Sequence, residues 1–135
     1  MAVQLSVAVR NARLDAIETA IGASAVLKIR TGAAPANCGT ADSGTVLATL
    51  SLPSDWMAGA SNGSKALSGT WEDTSADNAG TAGHFRLYAS DGTTCHMQGT
   101  ITATGGGGDM TLDNVVLAAG QAFSITAFTL TDANA

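Results

Sequence analysis

The clearest pattern near the start of the chain is an apolar stripe at the spacing of one helix face, formed by Leu14, Ile17 and Ile21. Gly22 follows as a natural C-terminal stop, and Ser6 is suited to cap the first turn. Asn11 would instead cap a shorter helix that begins at residue 12. We predict one short N-terminal helix over about 6–21, with a narrow stripe that packs on a sheet edge or on a neighbouring subunit.

After this helix the hydrophobic pattern changes to a period of two, which is typical of β-strands. The alternation predicts strands at about 25–31 and 46–52 and a weaker third strand at 67–71. Capping residues before Trp56 indicate one short helical turn at 54–57. Residues 72–83 are polar and acidic, and they are predicted to form a loop.

A hairpin over 84–101 gives the strongest local signal. A three-residue Ser-Asp-Gly loop, a type I turn with a Gly bulge, places Leu87 opposite Cys95 and Phe85 opposite Met97. A two-residue turn would mix apolar and polar side chains on each face, so the pattern favours the longer loop. The other face is predicted to hold the polar side chains of the hairpin: His84, Arg86, Tyr88, His96 and Gln98.

The pattern of the last strand breaks in phase near Ala127. Phe123 and Ile125 share one face, whereas Phe128 and Leu130 share the other. A bulge, or a strand that crosses between two sheets, would account for this break. We expect all four of these apolar side chains to be buried.

The number and spacing of these strands predict an all-β fold, an antiparallel β-sandwich or jelly-roll-like architecture with one short N-terminal helix. The length of 135 residues predicts a single domain over 1–135, with the sandwich over about 25–131. Ala, Gly, Ser and Thr supply 70 residues, which is typical of a turn-rich chain with small side chains.

The charge and hydropathy of the chain argue against several classes of partner. Six Lys and Arg residues stand against 11 Asp and Glu residues, so the chain lacks the basic stripe that nucleic-acid binding needs. No stretch approaches the apolar length of a membrane-spanning helix. Residues 1–10 do not resemble a cleaved secretion signal. We expect neither nucleic acid nor membrane as a partner.

The two cysteines, Cys38 and Cys95, lie 57 residues apart and form no C-x-x-C motif. For a protein made in a reducing compartment the expectation is two unpaired thiols. The alternative is one long-range disulfide that joins a loop to a strand after release from the cell.

A G-x-S-x-G match at 59–63 is centred on Ser61, and Asp77 and His84 follow in the order of a hydrolase triad. The motif requires a strand before the serine and a helix after it in a parallel sheet, and the pattern here is antiparallel. Because Gly and Ser are abundant, the match is interpreted as coincidence. We predict no catalytic residues.

Two further constellations resemble metal sites. His84 and His96 would lie diagonally on the polar face of the hairpin, without a carboxylate beside them, and are interpreted as a surface or interface pair. A cluster of possible calcium ligands lies in the acidic loop, at Glu72, Asp73, Asp77 and Asn78. The cluster lacks the spacing and closing glutamate of an EF-hand.

The run Gly105–Gly108 lacks the Lys of a phosphate-binding loop. We predict no metal and no cofactor.

Longer stretches of the sequence resemble a known group of proteins. They read RNARLDAIETAIG, TGAAPANC, TVLATLSLPSDWM, SGTWEDTSADNAGTAGHFRLYASDGTTCHMQGT and FTLTDANA, and they cover nearly the whole chain. These stretches resemble small virion structural proteins of tailed bacteriophages, and within that group a capsid cement (decoration) protein. The resemblance implies a jelly-roll-like fold on the outside of an icosahedral head, without catalysis or a cofactor.

The implied partners are the major capsid protein and further copies of the chain, as a homo-oligomer, most simply a dimer. The implied location is the capsid exterior of the virion, after synthesis in the cytoplasm of the host bacterium. One alternative is a structural component of the neck or tail. Another is a carbohydrate-binding module for host attachment that uses Trp56, Trp71 or Tyr88 as a sugar platform, although such isolated aromatic residues more often belong to a core.

Overall fold

The computed structural model describes residues 3–133, which form one helix and ten short strands. The helix, α1, spans Val7–Ile21. The strands are β1 Val26–Thr31, β2 Val46–Ser51, β3 Ser64–Ala66, β4 Trp71–Asp73, β5 Gly80–Tyr88, β6 Cys95–Ala103, β7 Met110–Leu112, β8 Val116–Leu117, β9 Phe123–Ile125 and β10 Thr129–Thr131. The protein is therefore mostly β with a single helix, as the sequence predicts.

The ends of α1 follow the capping residues in the sequence. The Ser6 hydroxyl accepts a hydrogen bond from the Val9 amide at 3.2 Å, which satisfies one of the free donors of the first turn. Gly22 ends the helix with φ of 93°, a conformation that favours glycine. The Asn11 side chain caps no helix and instead accepts a hydrogen bond from the Gly63 amide at 2.8 Å.

The inner face of α1 is joined to the β3 segment by polar contacts. The Lys65 ammonium, which is almost fully buried, lies 2.8 Å from Asp15 and 2.9 Å from Glu18. Burial acts to lower the pKa of Lys65, but the hydrogen bonds to the two helix carboxylates outweigh it and the pKa is raised. The helix is therefore held against β3 and the turn before it, within its own chain.

The main sheet has the strand order β2-β1-β5-β6-β7, and β8 pairs with the first residues of β5. Its pairs are antiparallel except β6 and β7, which run parallel from Ile101–Met110 to Ala103–Leu112. The prediction of a purely antiparallel fold is wrong at this pair. Parallel neighbours ordinarily need a connection of a dozen or more residues, whereas here the chain returns within six.

Four consecutive glycines allow this short return between β6 and β7. Gly105 and Gly107 have φ of 88° and 81°. A Cβ atom on Gly106 would lie 2.7 Å from the Thr102 side chain. The run Gly105–Gly108 is therefore a specific, tightly packed connection.

The β5–β6 hairpin differs in register from the prediction. Leu87 pairs with Met97 and Tyr88 pairs with Cys95, so His96 is an extra, bulged residue in β6. The loop has four residues instead of three. The predicted pairing of Leu87 with Cys95 is wrong, because alternation of apolar residues carries no information about a bulge next to the turn.

The segment between β2 and β5 also departs from the prediction. Residues 54–57 form a bend and a bridge, not a helical turn, and Met57 pairs with Leu67. The strand predicted at 67–71 is wrong in position: all of it but Trp71 lies in the connection between β3 and β4, which bends at Gly69 with φ of 71°. The acidic loop is shorter than 72–83, because β4 and β5 take its two ends.

The phase break in the last strand marks a change of partner. β9 pairs with β4, whereas β10 pairs with β3, in two separate two-stranded sheets. Phe123, Ile125 and Phe128 are buried, and Leu130 is partly buried against the core. Of the two explanations offered for the phase break, the structure shows the crossing between two sheets, whereas the expected burial of all four side chains is wrong for Leu130.

A chain of four aromatic rings joins the small sheets to the main sheet. The ring centroids of Trp56 and Trp71 are 6.1 Å apart, and those of Trp71 and Phe128 are 5.8 Å apart. Phe128 then meets Phe85 of β5 edge to face, at 5.6 Å. Such geometry adds to the stabilisation from burial alone, and it makes Phe128 the link between the layers.

We predict that Phe128→Ala lowers the free energy of unfolding by about 3–5 kcal/mol, because it removes both ring contacts and leaves a cavity. Urea unfolding followed by tryptophan fluorescence measures the change. Val116→Ala, at a valine that is 56% exposed, is the control and should shift stability by less than about 0.5 kcal/mol. Equal stabilities for the two variants would show that Phe128 does not link the layers.

Candidate functional site

The most elaborate polar site lies on the face of the main sheet that points away from the aromatic core, here called the outer face. Strand alternation in β1 and β5 places four large polar side chains there: Arg30, His84, Arg86 and Tyr88. All four are buried, because residues 32–44, here called the cover loop, lie over them. β5 is therefore buried on both faces.

Asp42 of the cover loop is the common partner of three of these side chains. Its Oδ2 lies 3.0 Å from Arg30 Nη2, and its Oδ1 accepts hydrogen bonds from Arg86 Nη1 and from the Tyr88 hydroxyl, the latter at 2.7 Å. Two buried guanidinium groups thus share one carboxylate. Hydrogen bonds between charged groups of this kind are stronger than neutral ones.

The two arginines also bind the backbone of the cover loop. Arg86 donates to the carbonyl oxygens of Asn37, Cys38 and Thr40 at 3.3, 2.9 and 3.1 Å. Arg30 Nη1 donates to the carbonyl of Ser43 at 3.4 Å. The cover loop has few apolar side chains to bury, so these charge-assisted bonds hold it against the sheet.

The cluster shifts the pKa of its acidic members in opposite directions. Burial acts to raise the pKa of Asp42, but the hydrogen bond from Tyr88 and the charges of Arg30 and Arg86 outweigh it, and the pKa is lowered. Burial and the hydrogen bond to Asp42 raise the pKa of Tyr88 to about 12. Asp42 is therefore ionised and Tyr88 is a neutral donor at neutral pH.

The base of the cover loop lies against β5. His84 is fully buried and its Nδ1 lies 2.9 Å from the carbonyl oxygen of Gly32. A Cβ atom on Gly83 would overlap the Gly32 backbone. The prediction that His84 belongs to a surface or interface pair is wrong, because polar residues on this face meet the cover loop instead of solvent.

The two cysteines meet at the edge of the same cluster. Cys38 and Cys95 are free, half-buried thiols. Pairing with Tyr88 turns Cys95 towards the outer face, and its side chain interacts with Arg86. The sequence pattern placed Cys95 on the apolar face with Met97, and the bulge at His96 overturns that placement.

The structure does not assemble the hydrolase-like triad. Ser61 lies in a tight turn that is bridged to Ser64, without the strand and helix that the motif requires. The Asp77 carboxylate accepts a hydrogen bond from the Thr49 hydroxyl at 2.8 Å, and His84 is bound to Gly32. Each of the three residues in the match therefore makes a separate structural contact.

The end of β4 and the loop after it cover the free edge of β2. Asp73 accepts a hydrogen bond from the Thr49 amide at 2.9 Å, and the Asn78 side chain donates to the Val46 carbonyl at 2.8 Å. Paired in this way, the edge of the sheet is closed to further strands. Within residues 3–133 no group of three His, Cys, Asp or Glu side chains is arranged to hold a metal ion.

The aromatic residues suggested for a sugar platform are buried. Trp56 and Trp71 donate their indole N–H groups to carbonyl oxygens of Gly22 and Trp56, at 3.0 and 3.1 Å. Tyr88 lies under the cover loop, with Lys28 above its ring at 5.0 Å from the centroid. These three side chains present no exposed face to a carbohydrate.

Sequence reasoning missed the central residues of this site, Arg30, Arg86 and Asp42. A signal was present: β1 and β5 place basic residues in strands that are otherwise strongly apolar. The alternation was interpreted with the polar residues facing solvent, which holds only if one face of the sheet is uncovered. In this protein both faces are covered, so the basic residues are buried.

Comparisons of the chain with protein-family models, with curated proteins and with solved structures found no match. No helix among the described residues has the length and hydropathy to cross a membrane. What the cluster does chemically follows from its own contacts. The terminal guanidinium nitrogens of Arg30 and Arg86 bond to loop carbonyls and to Asp42, so the cluster fixes the shape of the cover loop.

We predict that Asp42→Asn lowers the free energy of unfolding at pH 7 by about 2–3 kcal/mol, because two buried guanidinium groups lose their counter-charge. The folded-state pKa of Asp42 lies below its usual value of 3.8. Its stabilisation is therefore present above that value and is lost as the pH falls through the folded pKa.

Urea unfolding between about pH 7 and pH 3 tests this pH dependence. The wild-type protein should lose more stability than Asp42→Asn as the pH falls. Asp55→Asn, at an exposed carboxylate, is the matched control and should follow the wild type. Parallel curves for wild type and Asp42→Asn would contradict the assigned role of Asp42.

Proposed function

We propose that this chain is a capsid cement (decoration) protein of a tailed bacteriophage, with a jelly-roll-like arrangement of its sheets. It binds the exterior of the head and stabilises it without catalysis. The extended sequence stretches that resemble such proteins support this proposal. The structural observation that carries it is the outward face of α1.

The outward face of α1 is formed by six small, uncharged and exposed residues: Ala8, Val9, Ala12, Ala16, Thr19 and Ala20. The exposed side chains of Arg13 and Asp15 flank it, and both are engaged in ion pairs, with Asp132 and Lys65. The opposite face buries Leu14 and Ile21. A helix at a free surface ordinarily carries more charged residues towards solvent. Val9, at 46% exposed, is the largest apolar side chain of this surface.

Small side chains on this face permit close approach of a partner surface. We assign the major capsid protein as that partner, with a second copy of the chain completing a dimer on the shell. Many modest contacts on a symmetric lattice add to a large total affinity. Binding to the assembled shell in preference to free subunits then stabilises the particle by mass action.

This assignment places the protein on the virion, at the capsid exterior, after synthesis in the host cytoplasm. Burial of Trp56, Trp71 and Tyr88 supports a protein–protein surface over the carbohydrate-binding alternative. A neck or tail position is distinguished by copy number in an electron-microscopy map of purified particles. Density repeated over the capsid lattice marks a head protein, whereas a single ring marks the neck or tail.

We predict that the double variant Ala12→Glu, Ala16→Glu binds stripped phage heads about 100-fold more weakly than the wild type, because it buries charge at the contact. Co-sedimentation with the heads measures binding. The double variant Ala118→Glu, Ala119→Glu adds the same charge at an exposed loop and is the control. Circular dichroism establishes that the variants are folded.

Heads reloaded with wild-type protein should withstand a higher temperature and a stronger osmotic shock than stripped heads. Identical rupture thresholds with and without the protein would overturn the cement function. Undiminished binding by the double variant would instead overturn the outward face of α1 as the contact surface.

A further inference from the structure

The bulge in β6 directs Cys95 to the cover loop. Without an extra residue at His96, Cys95 would share the face of Met97, towards the core. The register shift between Leu87 and Tyr88 places Cys95 beside Tyr88 on the outer face instead. Bulges commonly re-aim a single side chain in this way.

The cover loop runs along β6 towards this same point. The Gln98 side chain donates to the Pro35 carbonyl at 2.6 Å, and three residues further along the loop Arg86 binds the Cys38 carbonyl at 2.9 Å. Cys95 lies three residues before Gln98 in the strand. The loop and the strand therefore run in opposite directions and bring Cys38 over Cys95.

The side chains of the two cysteines interact, and the Cys95 thiol also donates to the Met97 carbonyl at 3.4 Å. Burial raises the pKa of the Cys95 thiol, and the hydrogen bond to Cys38 raises it further, while the nearby Arg86 charge opposes both. Both side chains are half-buried at the margin of the loop, so a small oxidant reaches them without unfolding the sheet.

The geometry points to a disulfide between Cys38 and Cys95 that forms outside the reducing cytoplasm and locks the cover loop onto β6. A low-molecular-weight disulfide such as oxidised glutathione supplies the oxidation. One cysteine thiolate attacks it and releases one reduced glutathione. The second cysteine then attacks the mixed disulfide, which forms the Cys38–Cys95 bond and releases the second reduced glutathione.

In this exchange two protein thiols are oxidised to one disulfide, and one glutathione disulfide is reduced to two thiols. It rests on the proposed function only for the oxidising surroundings, which a virion meets after release. In the structure both thiols are free, as the sequence analysis expects for a reducing compartment, and the bond belongs to the oxidised protein alone.

The bond should stabilise the protein in two measurable ways. Closing a loop of 57 residues should lower the unfolding equilibrium constant by about a thousandfold. Amide hydrogen exchange in the cover loop should slow at least about tenfold, since the loop can no longer lift from the sheet. Slower hydrogen exchange would show that the bond holds the cover loop on the folded sheet. A bond that acted on the unfolded chain alone would change the unfolding equilibrium and leave exchange in the loop unchanged.

The test incubates purified full-length protein with a mixture of oxidised and reduced glutathione near extracellular poise. Thiol titration after unfolding should find no free thiol, and the intact mass should fall by two hydrogen atoms. Cys38→Ser and Cys95→Ser are matched controls that cannot form the bond, and neither should show the slowed exchange. Reductant should restore the exchange rates of the wild type.

Two results would overturn the inference. Persistent free thiols at a poise that oxidises a stable structural disulfide would show that the sulfurs cannot bond. Disulfide-linked dimers in place of the intramolecular bond would show that Cys38 and Cys95 serve contact between copies. Both readouts use the isolated protein, so their failure leaves the test of head binding unaffected.

Discussion

The outer face of the main sheet depends on one carboxylate, Asp42, which is shared between two buried guanidinium groups. Without it, Arg30 and Arg86 would be buried charges without a counter-ion, which is a strongly unfavourable arrangement. With it, the same arginines bind the carbonyl oxygens of the cover loop. A loop that has little apolar surface of its own is thereby ordered, and it shields β5 from solvent.

A third buried cation, Lys65, has a similar part at the inner face of α1. It joins the carboxylates of Asp15 and Glu18 to the carbonyl of Ala58. The inner face of α1 is thus fixed in part by polar contacts. Its outward face carries small uncharged side chains between Arg13 and Asp15.

The parts of the fold that local physics determines were predictable from the sequence. The cap at Ser6, the stop at Gly22 and the alternation in β1 and β2 depend on neighbours within a few residues. The phase break before Phe128 was informative because a single regular strand keeps its apolar residues on one face throughout. Apolar residues that change face within one segment therefore indicate a change in pairing.

The remaining features depend on contacts that are distant in sequence. The bulge at His96 has no signature in hydrophobic alternation, and it alone decides the direction of Cys95. Burial of His84 and Arg86 depends on a loop about 45 residues earlier in the chain. The parallel pair of β6 and β7 requires a glycine run whose tight packing only the folded backbone reveals.

The placement of β9 and β10 has a consequence for synthesis on the ribosome. Each pairs with a strand that emerges much earlier, β4 or β3, and Phe128 between them completes the aromatic chain. Until residues 123–131 have left the exit tunnel, Trp71 and Phe85 lack the ring of Phe128 and the two small sheets cannot form. The nascent chain must therefore keep these surfaces apart from other hydrophobic chains, and closure of its core waits until this segment has emerged.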